Sequence, residues 1–179
     1  VDSFVYLGVK FTFGVRLIAD YSARCRKFLA SVSSVLRHKV NGFENAFVNI
    51  LKAKCLPVLY YGLDCINLGT TSLNVVSKSW NTAFRWLFNM KKYDSTRLLF
   101  LECQTMSMKF LLNMRFLCFI QSIACGGNRL LKALAYHARC KESVCTLFHR
   151  YGLNIYSDIS NVRSVVNAAF IDYCSQKLD

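Results

Sequence analysis

A single proline constrains this chain more than any other residue. Pro57 is the only proline among 179 residues, and it lies in the apolar stretch NILKAKCLPVLYYGLDCI, residues 49–66. Proline lacks a backbone N–H and disfavours a helical residue before it, so a helix that begins near Glu44 must be kinked or rebuilt here. Gly62 then supplies a helix stop. The sequence predicts a helix end between Pro57 and Gly62, with the other elements arranged around it.

The balance of charge indicates the kind of partner. Lys and Arg number 23 against 10 Asp and Glu, a formal charge of +13, and 54% of the residues are apolar. The apolar content excludes disorder and favours a helix-rich core. An excess of cations this large points to a polyanionic partner, either nucleic acid or an acidic membrane surface.

The cysteines and the apolar runs indicate the compartment. None of the nine cysteines has a CxxC spacing, so we expect reduced thiols in an intracellular protein of the nucleus or cytoplasm. The longest uninterrupted apolar runs are far shorter than the roughly 20 residues of a membrane-spanning helix. The sequence therefore favours a soluble protein with no membrane partner, although a peripheral protein with basic amphipathic helices stays open as an alternative.

The first residues are typical of β structure. FVYLGVKFTF, residues 4–13, alternates around Gly8 and is rich in β-branched and aromatic residues. This pattern predicts a short β strand or hairpin, read as one strand with a bulge or close backbone approach at Gly8 and a turn at Gly14. The chain begins at Val1 within this pattern and without an initiator methionine, so we expect it to be a piece of a longer protein.

A basic amphipathic helix is predicted over residues 20–39, with Asp20 as its N-cap. Its apolar residues fall within an arc of about 120° at helical spacing; they are Cys25, Phe28, Leu29, Val32, Val35 and Leu36. No acid occurs between Asp20 and Glu44, so helical carboxylate partners do not neutralise the opposite, basic side. Our candidate phosphate-binding residues are Arg24, Arg26, Lys27, Arg37 and Lys39, with Lys52 and Lys54 as a second group. A solvated face without a ligand is the alternative interpretation.

The rest of the chain is predicted to be helical. Ser72 caps a helix with a narrow apolar stripe, formed by Leu73, Val76, Trp80, Ala83, Phe84 and Leu87. Trp80 is expected in the core, whereas Trp86 falls off the stripe. A long apolar helix runs from Ser107 to Ala124, and shorter helices cover residues 129–140, 143–151 and 160–178. The Gly126–Gly127 pair suggests a boundary between residues 1–125 and a small helical extension, residues 126–179.

The sequence contains candidate aromatic and metal-binding groups but no catalytic signature. Tyr60 and Tyr61 could stack on a sugar or base, but beside an apolar helix end both are expected in the core. The residues His137, Cys140, Cys145 and His149 form a zinc-like set. The two histidines would lie about 18 Å apart on a straight helix, so no metal site is predicted. No nucleophile–base signature, close carboxylate pair or phosphate-binding glycine loop is present, so no catalytic residue is assigned.

The order of these motifs resembles a known family. Tyr6, Leu7 and Gly8, then the basic helix, then Pro57 to Gly62 follow one another as in the C-terminal part of a reverse transcriptase from a non-LTR (LINE-type) retrotransposon. The helix LNVVSKSWNTAFRWLF is also similar, and the resemblance covers roughly residues 4–124. The chain departs from the family after Gly62: LDCI, residues 63–66, stands where an acid closely followed by tryptophan is common.

The resemblance has definite implications. It makes residues 1–125 the end of a palm and a helical thumb, places Tyr6, Leu7 and Gly8 near the primer end, and makes Pro57, Tyr61 and Gly62 a structural motif. The family's paired aspartates are absent from this sequence, so the catalytic palm and its Mg²⁺ are expected upstream of Val1, with no cofactor in this fragment.

By the same resemblance, the expected role is to grip an RNA template and DNA primer through phosphate contacts, together with missing N-terminal polymerase domains. The fragment is expected to be inactive as a polymerase by itself. A non-enzymatic helical interaction module and a decayed retroelement remnant without activity are the alternatives.

Overall fold

The computed structural model describes residues 3–6, 9–12, 18–63, 69–133, 142–154 and 158–176. The chain is mainly helical with a short antiparallel sheet at its N-terminus, which confirms the predicted fold class. The chain divides into two compact units, Val1–Met108 and Lys109–Asp179.

The N-terminal sheet is a three-stranded antiparallel meander. Strands β1 (Ser3–Tyr6), β2 (Val9–Thr12) and β3 (Ile18–Asp20) lie in chain order. Tyr6 pairs with Val9 in antiparallel register, so the hairpin form of the prediction is confirmed and its single-strand form with a bulge is wrong. When two neighbouring strands pair, their facing backbone N–H and C=O groups form hydrogen bonds with one another. A single isolated strand has no such partner. Leu7, Gly8 and Gly14 lie outside the described residues.

The first unit continues with five α-helices and one π-helical segment. They are α1 (Ser22–Leu36), α2 (Glu44–Ile50), the π segment (Leu51–Cys55), α3 (Leu56–Tyr60), α4 (Thr70–Leu87) and α5 (Arg97–Glu102). Helix α1 packs against α3, α4 and the π segment. Its predicted apolar side is confirmed, since Cys25, Phe28 and Val32 are buried.

The backbone around Pro57 is rebuilt as the sequence predicted. The N–H of Leu56 donates to the carbonyl of Leu51, five residues back, so the turn before the proline is wound as a π-helix. Pro57 then lies in the first turn of α3, where a missing N–H costs least. The helical path that began at Glu44 ends at Tyr60, and Gly62 follows with φ of 78°. The predicted stop at Gly62 is confirmed.

Trp80 is the centre of the aromatic core in the first unit. Its ring centroid lies 6.1 Å from that of Phe28 in α1, 4.8 Å from that of Phe84 and 6.5 Å from that of Phe100 in α5. The indole Nε1 donates a hydrogen bond of 3.2 Å to the carbonyl of Met106. The predicted burial of Trp80 is confirmed, and this one side chain joins α1, α4, α5 and the segment after α5.

The start of α4 differs from the prediction. Helix α4 begins at Thr70 with Gly69 as its N-cap, so Ser72 lies inside the helix rather than at its cap. The carbonyl of Gly69 accepts the N–H of Leu73 at 3.0 Å. The extended backbone of Gly69 therefore starts the helix earlier, without a side-chain cap.

The second unit contains α6 (Met108–Cys125), α7 (Glu142–Arg150) and α8 (Ile159–Ser175), and residues 129–133 are also helical. The Phe110 ring of α6 contacts Phe170 and Tyr173 of α8, with centroids 5.2 and 5.5 Å away. Because the start of α6 packs on the last helix, the units divide after Met108, whereas the glycine pair predicted a boundary at Gly126–Gly127.

Helix α6 corresponds to the long apolar helix that the sequence predicted between Ser107 and Ala124. Its 18 residues have a mean hydropathy of 1.3, and among the described helices it alone is long and apolar enough to cross a membrane. Apolar core helices of soluble proteins meet the same criterion. Length and composition alone therefore do not assign α6 to a membrane.

Three of the helices that the structure describes end in the same Schellman motif. The residues just beyond α4, α5 and α7 that adopt positive φ are Asn89 (53°), Gln104 (46°) and Gly152 (60°). After α5, the N–H of Thr105 donates to the Phe100 carbonyl at 2.8 Å and that of Gln104 donates to the Leu101 carbonyl at 3.0 Å. Only one of these three left-handed positions holds glycine.

Gln104→Gly is expected to stabilise the chain. A left-handed backbone costs a residue with a Cβ about 1–2 kcal/mol, and the greater freedom of glycine in the unfolded state offsets about 0.5–1 kcal/mol of that gain. The net increase in the free energy of unfolding should reach about 1 kcal/mol, measured by urea denaturation. Asn89→Gly is the matched comparison and should gain less, because asparagine tolerates this conformation better than glutamine. An unchanged or lower urea midpoint for Gln104→Gly would contradict the prediction.

Candidate nucleic-acid interface

Helix α1 presents a continuous basic face to solvent. Its exposed residues fall within an arc of about 140° at helical spacing. They are Ser22, Ala23, Arg26, Lys27, Ala30, Ser33, Ser34 and Arg37, the last being the C-cap. We call this set the α1 basic face. It combines cations with small side chains, so a phosphate backbone can approach the helix closely.

Three cations of the α1 basic face are available to a ligand. Arg26, Lys27 and Arg37 are exposed, and within the described residues no ion pair involves them. Arg26 and Arg37 are separated by about 16 Å along the helix axis. A linear polyanion lying along α1 could contact all three.

Asp20 lies close to this face, at the N-terminal end of α1. Its Oδ1 accepts the backbone N–H of Ser22 at 2.9 Å. This hydrogen bond lowers the pKa of the Asp20 carboxyl, and the charges of Lys10 and Arg26 lower it further. The N-cap of α1 is Tyr21 and has no side-chain cap, so the predicted N-cap at Asp20 is one residue too early; the Asp20 carboxylate accepts the N–H of the first helical residue instead.

Arg24 lies on another side of α1. Its guanidinium is 4.6 Å from the ring centroid of Tyr61, a cation–π distance. Tyr60 is buried as predicted, but the core prediction for Tyr61 is wrong because that ring is 55% exposed. The backbone leaves the helix at Tyr61, with φ of −52° and ψ of 120°, and this change directs the ring to the surface under Arg24.

Two of the predicted phosphate-binding lysines hold helix ends together. The ammonium of Lys39 donates to the carbonyl of Leu87, the last residue of α4. The ammonium of Lys52 donates to the carbonyls of Cys103 and Gln104, 3.2 Å from each, at the end of α5. Each cation meets the negative end of a helix dipole. Partial burial lowers the pKa of Lys52.

The remaining candidates are dispersed. Lys54 is exposed on the π segment, and Pro57 is exposed at the start of α3. Tyr6 ends β1, whereas Leu7 and Gly8 fall outside the described ranges. The structure thus places Arg26, Lys27 and Arg37 on one face. The binding roles of all seven cations and of the YLG residues stay predictions.

Sequence reasoning missed one group of exposed residues. Lys91, Lys92 and Tyr93 lie between α4 and α5, and all three are exposed. The sequence signal that could have identified this group was a tyrosine preceded by two lysines in a segment between two predicted helices.

The zinc-like set is only partly described. Cys145 and His149 are exposed on α7, and His137 and Cys140 lie outside the described residues. In the described part of the chain, no three His, Cys, Asp or Glu side chains come together in a group that could hold a metal ion.

Comparisons of this chain with protein-family models, curated proteins and solved structures find no match. The likeness to retrotransposon reverse transcriptases therefore stays a prediction from the residues. Binding experiments on the α1 basic face can test the grip on nucleic acid that the likeness implies.

Proposed function

We propose that this chain grips the phosphate backbone of a primer–template duplex, as the thumb-like part of a retroelement reverse transcriptase whose catalytic aspartates lie outside the chain. One observation carries the proposal: the α1 basic face holds three exposed cations among small side chains, and in the described part of the chain none of the three forms an ion pair. The formal charge of +13 on the whole chain supports the same class of partner.

The physical task of such a grip suits this face. A polymerase moves along its duplex, so the contacts that hold the duplex must not depend on base sequence. Lysine and arginine contacts to phosphates meet that requirement, because they position the nucleic acid without reading the bases. The α1 basic face offers cations with no acidic side chain between them.

The opposite side of α1 fixes the position of these cations. Phe28 and Val32 are completely buried, and α1 packs against α3, α4 and the π segment. A helix held on its apolar side needs little rearrangement when its polar side binds a ligand. Only the long cationic side chains then lose freedom on binding, and that loss costs about 0.5–1.5 kcal/mol for each.

Binding to an RNA–DNA duplex is expected to weaken steeply as salt rises. If the three exposed cations of α1 each displace a counterion, log affinity should fall with log salt at a slope of about −2.7. Fluorescence anisotropy of a labelled hybrid duplex at several salt concentrations measures this slope. A scrambled duplex of equal length should give the same affinity and slope.

Other outcomes would support other functions. No binding at low salt, or an affinity that does not respond to salt, contradicts the grip and favours a helical interaction module. Tighter co-sedimentation with anionic vesicles than with the duplex would favour a peripheral membrane protein.

A further inference from the structure

The loop of Lys91, Lys92 and Tyr93 between α4 and α5 is a second candidate contact surface, which we call the Lys-Lys-Tyr loop. Tyr93 is 88% exposed, and the ammonium of Lys92 lies 5.5 Å from its ring centroid. Most of the ring is therefore open to a stacking partner, with two cations beside it in the sequence.

Hydrogen bonds that Asp94 accepts and donates hold this loop in place. The Asp94 Oδ2 accepts the N–H of Lys91 at 2.8 Å, and the Asp94 N–H donates to the Lys91 carbonyl at 3.2 Å. Arg85 of α4 donates from Nε and Nη2 to the Asp94 carbonyl, at 3.0 and 2.9 Å. Two residues after Asp94, the loop ends at Thr96, which is buried and is the N-cap of α5. Tyr93 is thus presented on a loop that is held in place, which lowers the entropy cost of binding.

We propose that the Lys-Lys-Tyr loop binds unpaired nucleotides of single-stranded nucleic acid, by stacking a base on Tyr93 while Lys91 and Lys92 contact the phosphates. This inference rests on the proposed function, because it assumes a polynucleotide partner. Bases inside a duplex are stacked on their neighbours, whereas an unpaired base exposes a face that any aromatic ring can cover. The loop and the α1 basic face would therefore hold different parts of one substrate, its single strand and its duplex.

The test measures binding of the 179-residue chain to a labelled oligothymidine of about 12 nucleotides and, separately, to the hybrid duplex. Tyr93→Ala should weaken oligothymidine binding about 5- to 150-fold, the range measured for one stacked base, and leave duplex binding unchanged. Tyr93→Phe is the matched control and should bind like the original chain, because it keeps the ring. Changing both lysines to glutamine should reduce the salt slope for oligothymidine by about 1.4.

The possible results separate the two proposals. If the Tyr93→Ala variant binds oligothymidine as tightly as the original chain, the loop assignment is overturned. It is also overturned if the original chain binds the duplex but does not bind oligothymidine. In both cases the grip proposal stands. Binding to neither probe at low salt overturns both. Competition by polyglutamate as effective as that by unlabelled oligothymidine would assign the loop to acidic proteins instead.

Discussion

Trp80→Ala is expected to lower the free energy of unfolding of the first unit by about 3–5 kcal/mol. The side chain is completely buried and packs on Phe28, Phe84 and Phe100. Its removal leaves a cavity where α1, α4 and α5 meet, and the Met106 carbonyl loses its indole donor. Small domains have only about 5–15 kcal/mol of stability in total, so this loss removes a large fraction of the stability of the first unit. Urea denaturation followed by circular dichroism measures the effect.

Two further substitutions separate the contributions of Trp80. Trp80→Phe keeps an aromatic ring but loses the hydrogen bond and some volume, so we expect a smaller loss of about 1–2 kcal/mol. Trp86→Ala removes the same type of side chain from the same helix, at a position that is 45% exposed, and should cost at most about 1 kcal/mol. Equal losses at Trp80 and Trp86 would show that the aromatic core does not govern the stability of this unit.

Changing Arg26, Lys27 and Arg37 together to glutamine is expected to abolish most duplex binding. Each phosphate contact contributes about −0.9 to the slope of log affinity against log salt, so the slope should become less negative by about 2.7 and low-salt affinity should fall steeply. The three side chains are exposed and have no ion pairs within the described residues. Thermal stability should therefore stay the same while binding is lost.

The matched control for this variant changes the same number of positive charges on the other unit. Lys109, Arg129 and Arg163 are also exposed, so their combined change to glutamine lowers net charge equally. If binding depends only on net charge, both variants lose affinity to the same extent and the α1 basic face is not the interface. If the grip depends on the α1 basic face, only the α1 variant shows a less negative slope of log affinity against log salt.

Much of the helical architecture was predictable because it depends on local spacing. The periodic apolar residues of α1 and α4 identified the buried sides of those helices, and Gly62 marked a helix stop because the chain needs a positive φ there. Pro57 predicted that the helix is rebuilt at this point. The residue types did not predict that the rebuilt turn before the proline is a π-helix. The start of α4 was misplaced because the N-cap is a glycine backbone, which leaves no side-chain signal.

The candidate interface was predictable only in part, since a lysine in the sequence does not reveal its acceptor. By itself, the sequence determined the helical class, the apolar side of α1 and the excess of positive charge, because local spacing and ionisable groups are properties of the chain. Only the tertiary structure decided that Lys39 and Lys52 bind helix-end carbonyls and that Arg24 covers Tyr61, leaving Arg26, Lys27 and Arg37 open to a ligand. The two lysines meet acceptors 48 to 52 residues further along the chain. Such pairs form only when packing brings distant segments together, and that packing distinguishes a cation with a structural role from one that stays exposed to solvent.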